Sequence, residues 1–522
     1  MFLKVTNVKK IKKKLIKNKI ELFIILLSFF IFSVNILDFP FHPEFGLQGY
    51  IGQELIRGYP VFSTLVWTYP PVVYFINAFW MKLFFFLPNY LAMRLGGLII
   101  GIFTVLLFYK VLTKVTTDKL TPIFSALILL SFTFFIEYSF SISVKTVLVF
   151  FVVLMFLSLF KKHYLFSGIL ISLSFMSWQG GLVFIFAPLS YYLLNKEKSE
   201  NYVKFFTGFI IPLLLIVLYF FSSNLLDKFI NYVFTFAWSF KEESNWSNSI
   251  FAYMKGWIAF STTELVFLLF CPISSFLFLF KIIKDKRIHI DNKELFSFIL
   301  PYFLLFLYTF IDFQPGEDVI PLMPAISLSS AFLFSKMRKK IPTIIVLSFL
   351  IVYGFFPMFQ PIYPPNPLLT DAKRVNNLND LLVIMGNYTY PEIMYYSLFH
   401  RLGRDMNLQQ QLDIAEYIND NMNDTDTIFS LGASELLFLI GKRNINKYTQ
   451  LSGSPLRVYV REEGIREELK NNITESSPKF IVSWVRLDNN EPALKFLGIK
   501  DFVETNYEML DVHPKYVIWK KV

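Results

Sequence analysis

The sequence predicts a polytopic α-helical membrane protein, with about 11 transmembrane helices plus interfacial helices and a C-terminal extracytoplasmic α/β domain. Three observations predict it. Apolar residues make up 54% of the 522 residues and mean hydropathy is +0.49, against roughly 45–50% apolar content in soluble domains. The excess is concentrated in long Phe-, Leu- and Ile-rich stretches, and the chain from about Thr370 onward reads as ordinary soluble sequence. Lys and Arg cluster at the ends of the apolar stretches, which is what orientation in a bilayer requires. The division is a basic cytoplasmic N-terminus over 1–19, a membrane domain over 20–357 and an α/β domain over 358–522.

The expected spans are 20–38, 93–113, 121–138, 147–160, 164–179, 181–195, 203–222, 259–282, 295–311, 318–335 and 341–357, each judged against the ~20 apolar residues that cross a bilayer. The first follows a basic segment, Lys9 to Lys19, but no small-residue cleavage site follows it, so it reads as a retained span. A further apolar run, Pro71 to Leu87, is decided by charge. If it crossed, Lys110, Lys114 and Lys119 would fall outside, and every later basic connection would flip. As an interfacial or re-entrant segment it leaves Lys110–Lys119, Lys161–His163, Lys196–Lys198, Lys281–Lys293 and Lys336–Lys340 inside. The chain is then a multi-pass plasma-membrane protein, with its N-terminus in the cytoplasm and its C-terminal domain outside. Leu225 to Phe240, with Trp238 and Lys241 beside it, suits a helix lying in the headgroup layer.

In the C-terminal domain, helical periodicity runs from Leu408 to Met422. Thr427–Leu431 reads as a strand, Gly432 as a turn and Ser434–Ile440 as a helix ended by Gly441. Arg461–Lys470 reads as helical, although Gly464 weakens its start, and Lys479–Trp484 as a strand. Phe502–Met509 and Tyr516–Lys520 read as a closing strand pair. Pro361, Pro364, Pro365 and Pro367 form a stiff connector from the membrane.

The net charge of +11 does not point to nucleic acid, because basic stripes with interleaved aromatics are missing from the soluble part. The one cysteine, Cys271, excludes an intrachain disulfide. Metal-ligand spacing and a Gly-rich phosphate loop are both missing from the C-terminal domain, so the sequence names no certain cofactor; a divalent metal stays open but unsupported.

The polar exception among the apolar stretches is the segment from Asp38 to Pro71. It carries His42, Glu44 and Arg57, and Tyr50, Glu54 and Arg57 share one face of a short helix at i, i+4 and i+7. Gly58-Tyr59-Pro60 ends that helix, and Pro70-Pro71 opens the interfacial run. Glu44, Tyr50, Gly52, Arg57-Gly58, Tyr59-Pro60 and Pro70-Pro71 together resemble the first outside loop of the GT-C superfamily of integral-membrane glycosyltransferases. The likeness is to the group related to protein O-mannosyltransferases and lipid A aminoarabinose transferases. Three positions depart from that group. Glu44 stands where Asp is common, Tyr69 stands where a Lys precedes the Pro pair, and Lys145 stands where the next outside loop commonly has an acid. Ser177-Trp178-Gln179-Gly180-Gly181 is similar to oligosaccharyltransferase catalytic subunits of the same superfamily, but their Trp-Trp-Asp signature is missing.

The resemblance implies transfer of a sugar from a polyprenyl-phosphate-linked donor to a glycan, lipid or protein acceptor at the outer membrane face. It makes 38–92 the active-site loop of a GT-C-like domain. The implied roles are Glu44 as general base, with Asp38 second, and Tyr50, Arg57, Tyr69, Arg94 and Lys145 on the substrate and phosphate side. His42 reads as structural. Two other classes stay open: a non-catalytic membrane scaffold of the same fold, and a transporter or flippase of lipid-linked sugars. The second would need polar residues at mid-span, and the spans have almost none.

Overall fold

The computed structural model describes residues 19–34, 36–37, 39–236, 293–309, 317–337, 407–448, 463–484, 499–513 and 516–522. Asp38, the expected spans 259–282 and 341–357, and the Pro361–Pro367 connector lie outside the described residues.

Helix α1 covers 19–33. There follow α2 (Pro43–Ile56), α3 (Val72–Leu83), α4 (Asn89–Val115), α5 (Thr121–Ser131), α6 (Thr133–Ser139), α7 (Val144–Phe160), α8 (Tyr164–Phe175), α9 (Phe186–Asn195), α10 (Ser199–Ser222) and α11 (Leu226–Ile230). A 3-10 turn over Gln179–Ile185 leads into α9. Then come α12 (Lys293–Thr309) and α13 (Met323–Met337). Among the described residues, α4 and α10 are long and apolar enough to cross a membrane unaided. At 27 residues α4 rises roughly 40 Å, more than the roughly 30 Å hydrocarbon core. Helix α3 has 12 residues and rises roughly 18 Å, so it does not span that core alone. Two expected spans differ in detail. Residues 121–138 break at Phe132, which is extended with ψ 114°, and 164–179 ends as helix at Phe175. The expected interfacial helix after Leu225 is described as far as Phe236, where α11 has run into a π-helical turn, Asn231–Phe236; residues 237–240 lie outside the described residues.

Packing between apolar helices follows small residues. A Cβ on Gly168 would lie 2.0 Å from the Phe205 carbonyl oxygen, and one on Gly208 would lie 2.0 Å from that of Leu165. Helices α8 and α10 therefore meet backbone to backbone.

The C-terminal residues form α14 (Leu408–Asp420), β1 (Ile428–Leu431), α15 (Ser434–Ile440), α16 (Glu463–Ser476), β2 (Phe480–Trp484), α17 (Lys500–Asn506), β3 (Tyr507–His513) and β4 (Tyr516–Lys521). The sheet order is β1-β2-β4-β3, with β1 parallel to β2 and the other pairs antiparallel. Asn407 caps α14 reciprocally with Gln410, a capping box. One expected strand needs correction. Residues 502–506 are helical, because Ile499 and Val503, both buried, stand four apart on one helical face. The strand begins at Tyr507.

Alternation along the strands sorts the sheet's two faces. Phe429, Leu431, Ile481 and Trp519 join a cluster with α16 and α17, whereas Ile428, Phe480, Val482 and Ile518 join the large cluster that includes the membrane domain. Helix α2 lies between the two parts. A Cβ on Gly46 would sit 2.2 Å from the Glu435 Cα, and one on Gly49 would sit 2.8 Å from the Phe438 ring. Only glycine lets α2 and α15 approach this closely. Gly46→Ala is expected to destabilise the docked domain by about 1–3 kcal/mol or more through overpacking. Limited proteolysis of the purified protein checks this, with faster cleavage in residues 407–448 than in wild type.

Candidate active site at the start of helix α2

The polar segment after α1 is a buried helix rather than a surface loop. His42 caps it in an extended conformation, φ −76° and ψ 145°, with Pro43 in its first turn. The His42 Nδ1 accepts the Glu44 backbone N–H at 3.4 Å, which satisfies a donor that a helix start leaves free. His42 is thus structural. Glu44 falls in the first turn, where the helix dipole favours a carboxylate, and is 7% exposed. Its Oε1 accepts from Gln48 Nε2 at 3.1 Å, one helical turn on.

Tyr74 on α3 stands near this carboxylate. Burial, and then the charge of Glu44, hold its phenol well above the usual range. Being protonated, it donates to the Tyr69 carbonyl at 3.3 Å. The 66–72 segment is pinned along its length. Val66 N–H donates to the Lys447 carbonyl at 2.9 Å and Val72 N–H to the Met176 carbonyl at 3.0 Å. Gln179 Nε2 donates to the carbonyls of Thr68 at 2.7 Å and Val233 at 2.9 Å.

Lys145, on α7, approaches the ring of Tyr69 in that segment. Ser143 and Thr146 form a capping box there, so Lys145 lies in the first turn, and it is 2% exposed. A cation at a helix N-terminus is opposed by the dipole, at about 0.3–1 kcal/mol. Its Nζ lies 3.7 Å from the Trp178 ring centroid and 5.8 Å from that of Tyr69. A desolvated cation–π contact contributes about 2 kcal/mol, enough to prevail. The Trp178 ring in turn needs Gly180, where a Cβ would fall 2.2 Å from it. Glu44, Tyr74, Tyr69, Lys145 and Trp178 thus form a chain of successive neighbours. Among the described residues no group of three His, Cys, Asp or Glu could hold a metal.

The other expected substrate-side residues are engaged elsewhere. The Tyr50, Glu54 and Arg57 face exists as predicted and meets residues 441–444. The Tyr50 hydroxyl accepts the Asn444 N–H at 3.0 Å. Burial, then Glu54, push its phenol up. Arg57 pairs with Glu54 at 2.6 Å and donates to the Gly441 carbonyl. Arg94 is 1% exposed, donates to the carbonyls of Phe39 and Phe140 and to Ser141 Oγ, and lies 4.2 Å over the Phe41 ring. It ties the segment before α2 to the α6–α7 turn. Arg94→Met is expected to destabilise by about 2–3 kcal/mol, because buried carbonyls lose a charged donor. The check is a melting temperature lowered by several degrees in detergent.

The sequence reading did not single out Gln48 or Tyr74. Gln48 had a local signal, standing four residues after Glu44 on the helix. Tyr74 had none, because α3 reaches Glu44 only through tertiary packing.

Three comparisons bear on this architecture. The family described as Dolichyl-phosphate-mannose-protein mannosyltransferase matches residues 68–226, a segment that takes in Tyr69, Arg94 and Lys145 and begins after Glu44. The fold is similar to the crystal structure of ArnT from Cupriavidus metallidurans bound to undecaprenyl phosphate. That likeness has a TM-score of 0.61 and 13% identity, over 96% of this chain and 98% of that one. Residues 68–226 are thus similar to that mannosyltransferase family, and the fold of the whole chain is similar to that of ArnT. The apo ArnT structure gives the same fold at a TM-score of 0.57 and 13% identity, over 96% and 97% of the two chains. An uncharacterized protein of Aquifex aeolicus (strain VF5) is 28% identical over an alignment of 327 residues that covers 58% of this chain. The match spans 61% of the length of that curated relative.

Proposed function

We propose that this chain is a GT-C glycosyltransferase that moves a sugar from a polyprenyl-phosphate-linked donor to an acceptor hydroxyl at the outer membrane face. One arrangement carries the reading: the buried carboxylate Glu44 and the buried ammonium Lys145 are linked through Tyr74 and Tyr69, by the charge of Glu44 on the Tyr74 phenol, the Tyr74 bond to the Tyr69 carbonyl and the Lys145 contact with the Tyr69 ring. Binding of undecaprenyl phosphate by ArnT, a protein of the same fold, supports the donor class.

Glu44 takes the proton of the acceptor hydroxyl as its oxygen attacks the anomeric carbon. The bond from that carbon to the phosphate oxygen breaks, and the polyprenyl phosphate leaves with the electron pair. Lys145 faces the phosphate and stabilises the charge that develops there. Both groups are shielded from water, which strengthens their effect. Purified protein in nanodiscs, given a panel of polyprenyl-phosphate sugars, is expected to release polyprenyl phosphate from at least one. Release from none would refute the enzyme reading.

The orientation belongs to the same proposal: about eleven spans, N-terminus inside, α3 at the outer interface and the 358–522 domain outside. A cysteine placed at 88, 89 or 90 in Cys271-free protein is expected to react with a membrane-impermeant reagent added outside. Protection there would contradict the interfacial placement of α3.

A further inference from the structure

A buried hydrogen-bond relay runs from the C-terminal domain to the residue that precedes the cap of α2. Gln411 on α14 is fully buried, as is Glu435 on α15, and Tyr516 on β4 is 1% exposed. The Phe41 N–H donates to Gln411 Oε1 at 2.7 Å. Gln411 Nε2 donates to the Phe41 carbonyl at 3.1 Å and to the Tyr516 hydroxyl oxygen at 3.0 Å. The Tyr516 hydroxyl donates to Glu435 Oε1 at 2.6 Å. One amide side chain thus grips both backbone groups of Phe41, across 370 residues of sequence.

The chemistry of the relay gives it a direction. A phenol has one proton to donate, and here Glu435 takes it. The Tyr516 oxygen is left as an acceptor, so the Gln411 amide must turn its nitrogen toward Tyr516 and its oxygen toward the Phe41 N–H. Burial, and then the charge of Glu435, push the Tyr516 phenol up, so it keeps its proton through the physiological range. The far end matters because Phe41 leads directly into the start of α2. The next residue is the His42 cap, the His42 carbonyl accepts the Gly46 N–H at 3.0 Å, and Glu44 lies in that first turn. On the other side Phe41 is held by its ring, 5.3 Å from Phe438 and under Arg94.

We propose that Gln411 is a positioning residue for Glu44, its amide oriented by Tyr516 and Glu435, so that the C-terminal domain sets where the carboxylate stands. This rests on the reading of Glu44 as the base. It assigns the domain a part in catalysis that needs no contact between its residues and the substrate. A misplacement of about 1 Å costs on the order of 10²-fold in rate.

The test uses the full chain in nanodiscs and two readouts, hydrogen exchange of the 41–49 amides and steady-state transfer. In Gln411→Ala, exchange over 41–49 is expected to rise about tenfold or more. kcat is expected to fall by about 10–100-fold, with the donor KM within about twofold. Added to Glu44→Gln, the same change is expected to cost nothing more, because the group it positions is gone. Tyr516→Phe removes one hydroxyl and little volume, and is expected to shift both readouts the same way by a smaller factor. Gln409→Ala changes an exposed glutamine of the same helix that bonds Asp413 and is expected to leave both unchanged. Unchanged exchange over 41–49 in Gln411→Ala and Tyr516→Phe would overturn the proposal. So would an unchanged kcat, or an equal loss in the Glu44→Gln background. A wild type that transfers from no donor refutes the function reading instead, and the exchange result then decides alone whether the relay holds the start of α2.

Discussion

Glu44→Gln is expected to lower the transfer rate by about 10²–10⁴-fold, the usual contribution of a positioned general base. The fold should survive. The amide is nearly isosteric with the carboxylate, its carbonyl oxygen can still accept from Gln48 Nε2, and the loss of the dipole-favoured charge in the first turn costs about 0.3–1 kcal/mol. Donor KM should therefore move little while kcat falls, the pattern of an interaction made chiefly in the transition state. Steady-state transfer at saturating acceptor measures this. If kcat stays at the wild-type value, the base is another group, and Asp38 is the first to examine.

Lys145→Met is expected to lower kcat/KM by about 10²–10³-fold, the loss seen when one stabiliser of developing charge is removed. Methionine keeps the apolar stem and its contact with the Trp178 face, so the variant isolates the charge. Lys145 and Arg94 make opposite predictions although both are buried cations. The Arg94 guanidinium is occupied by Phe39, Phe140 and Ser141, so its loss should appear in stability. The Lys145 ammonium lies against the Trp178 and Tyr69 rings and in the proposed reaction meets the donor phosphate, so its loss should appear in donor turnover. The measurement is donor kcat/KM for both variants beside their melting temperatures.

Local signals made much of the fold legible. The helix at 408–420 follows from apolar spacing and a capping box. The α15 stop at Gly441 follows from a glycine that adopts φ +66°. The polar segment after the first span marks itself by composition, and Glu44, Lys145 and Tyr69 all stand out in the sequence. What sequence could not carry was which partners these groups meet. Tyr50 and Arg57 share a helical face, as spacing requires, but that face turns to Asn444 and Gly441, 394 and 384 residues away. No periodicity encodes that distance. Arg94 has the composition of a phosphate ligand, and only tertiary structure shows backbone carbonyls already engaging it. The sequence assigns no role to Gly46 or Gly49, which in the structure are the floor on which α15 rests. Residues 502–506 read as strand because two adjacent apolar residues fit either period; the burial of Ile499 with Val503 decides for helix.

The central claim is that a sugar leaves a polyprenyl phosphate and joins an acceptor on this protein. A donor labelled with one isotope in the sugar and another in the lipid, presented to reconstituted wild-type protein with acceptor, measures it most directly. The two labels are predicted to part, the sugar label moving to the acceptor as an equal amount of labelled polyprenyl phosphate appears. Labels that stay together, whether the donor remains in place or crosses the bilayer whole, would contradict it.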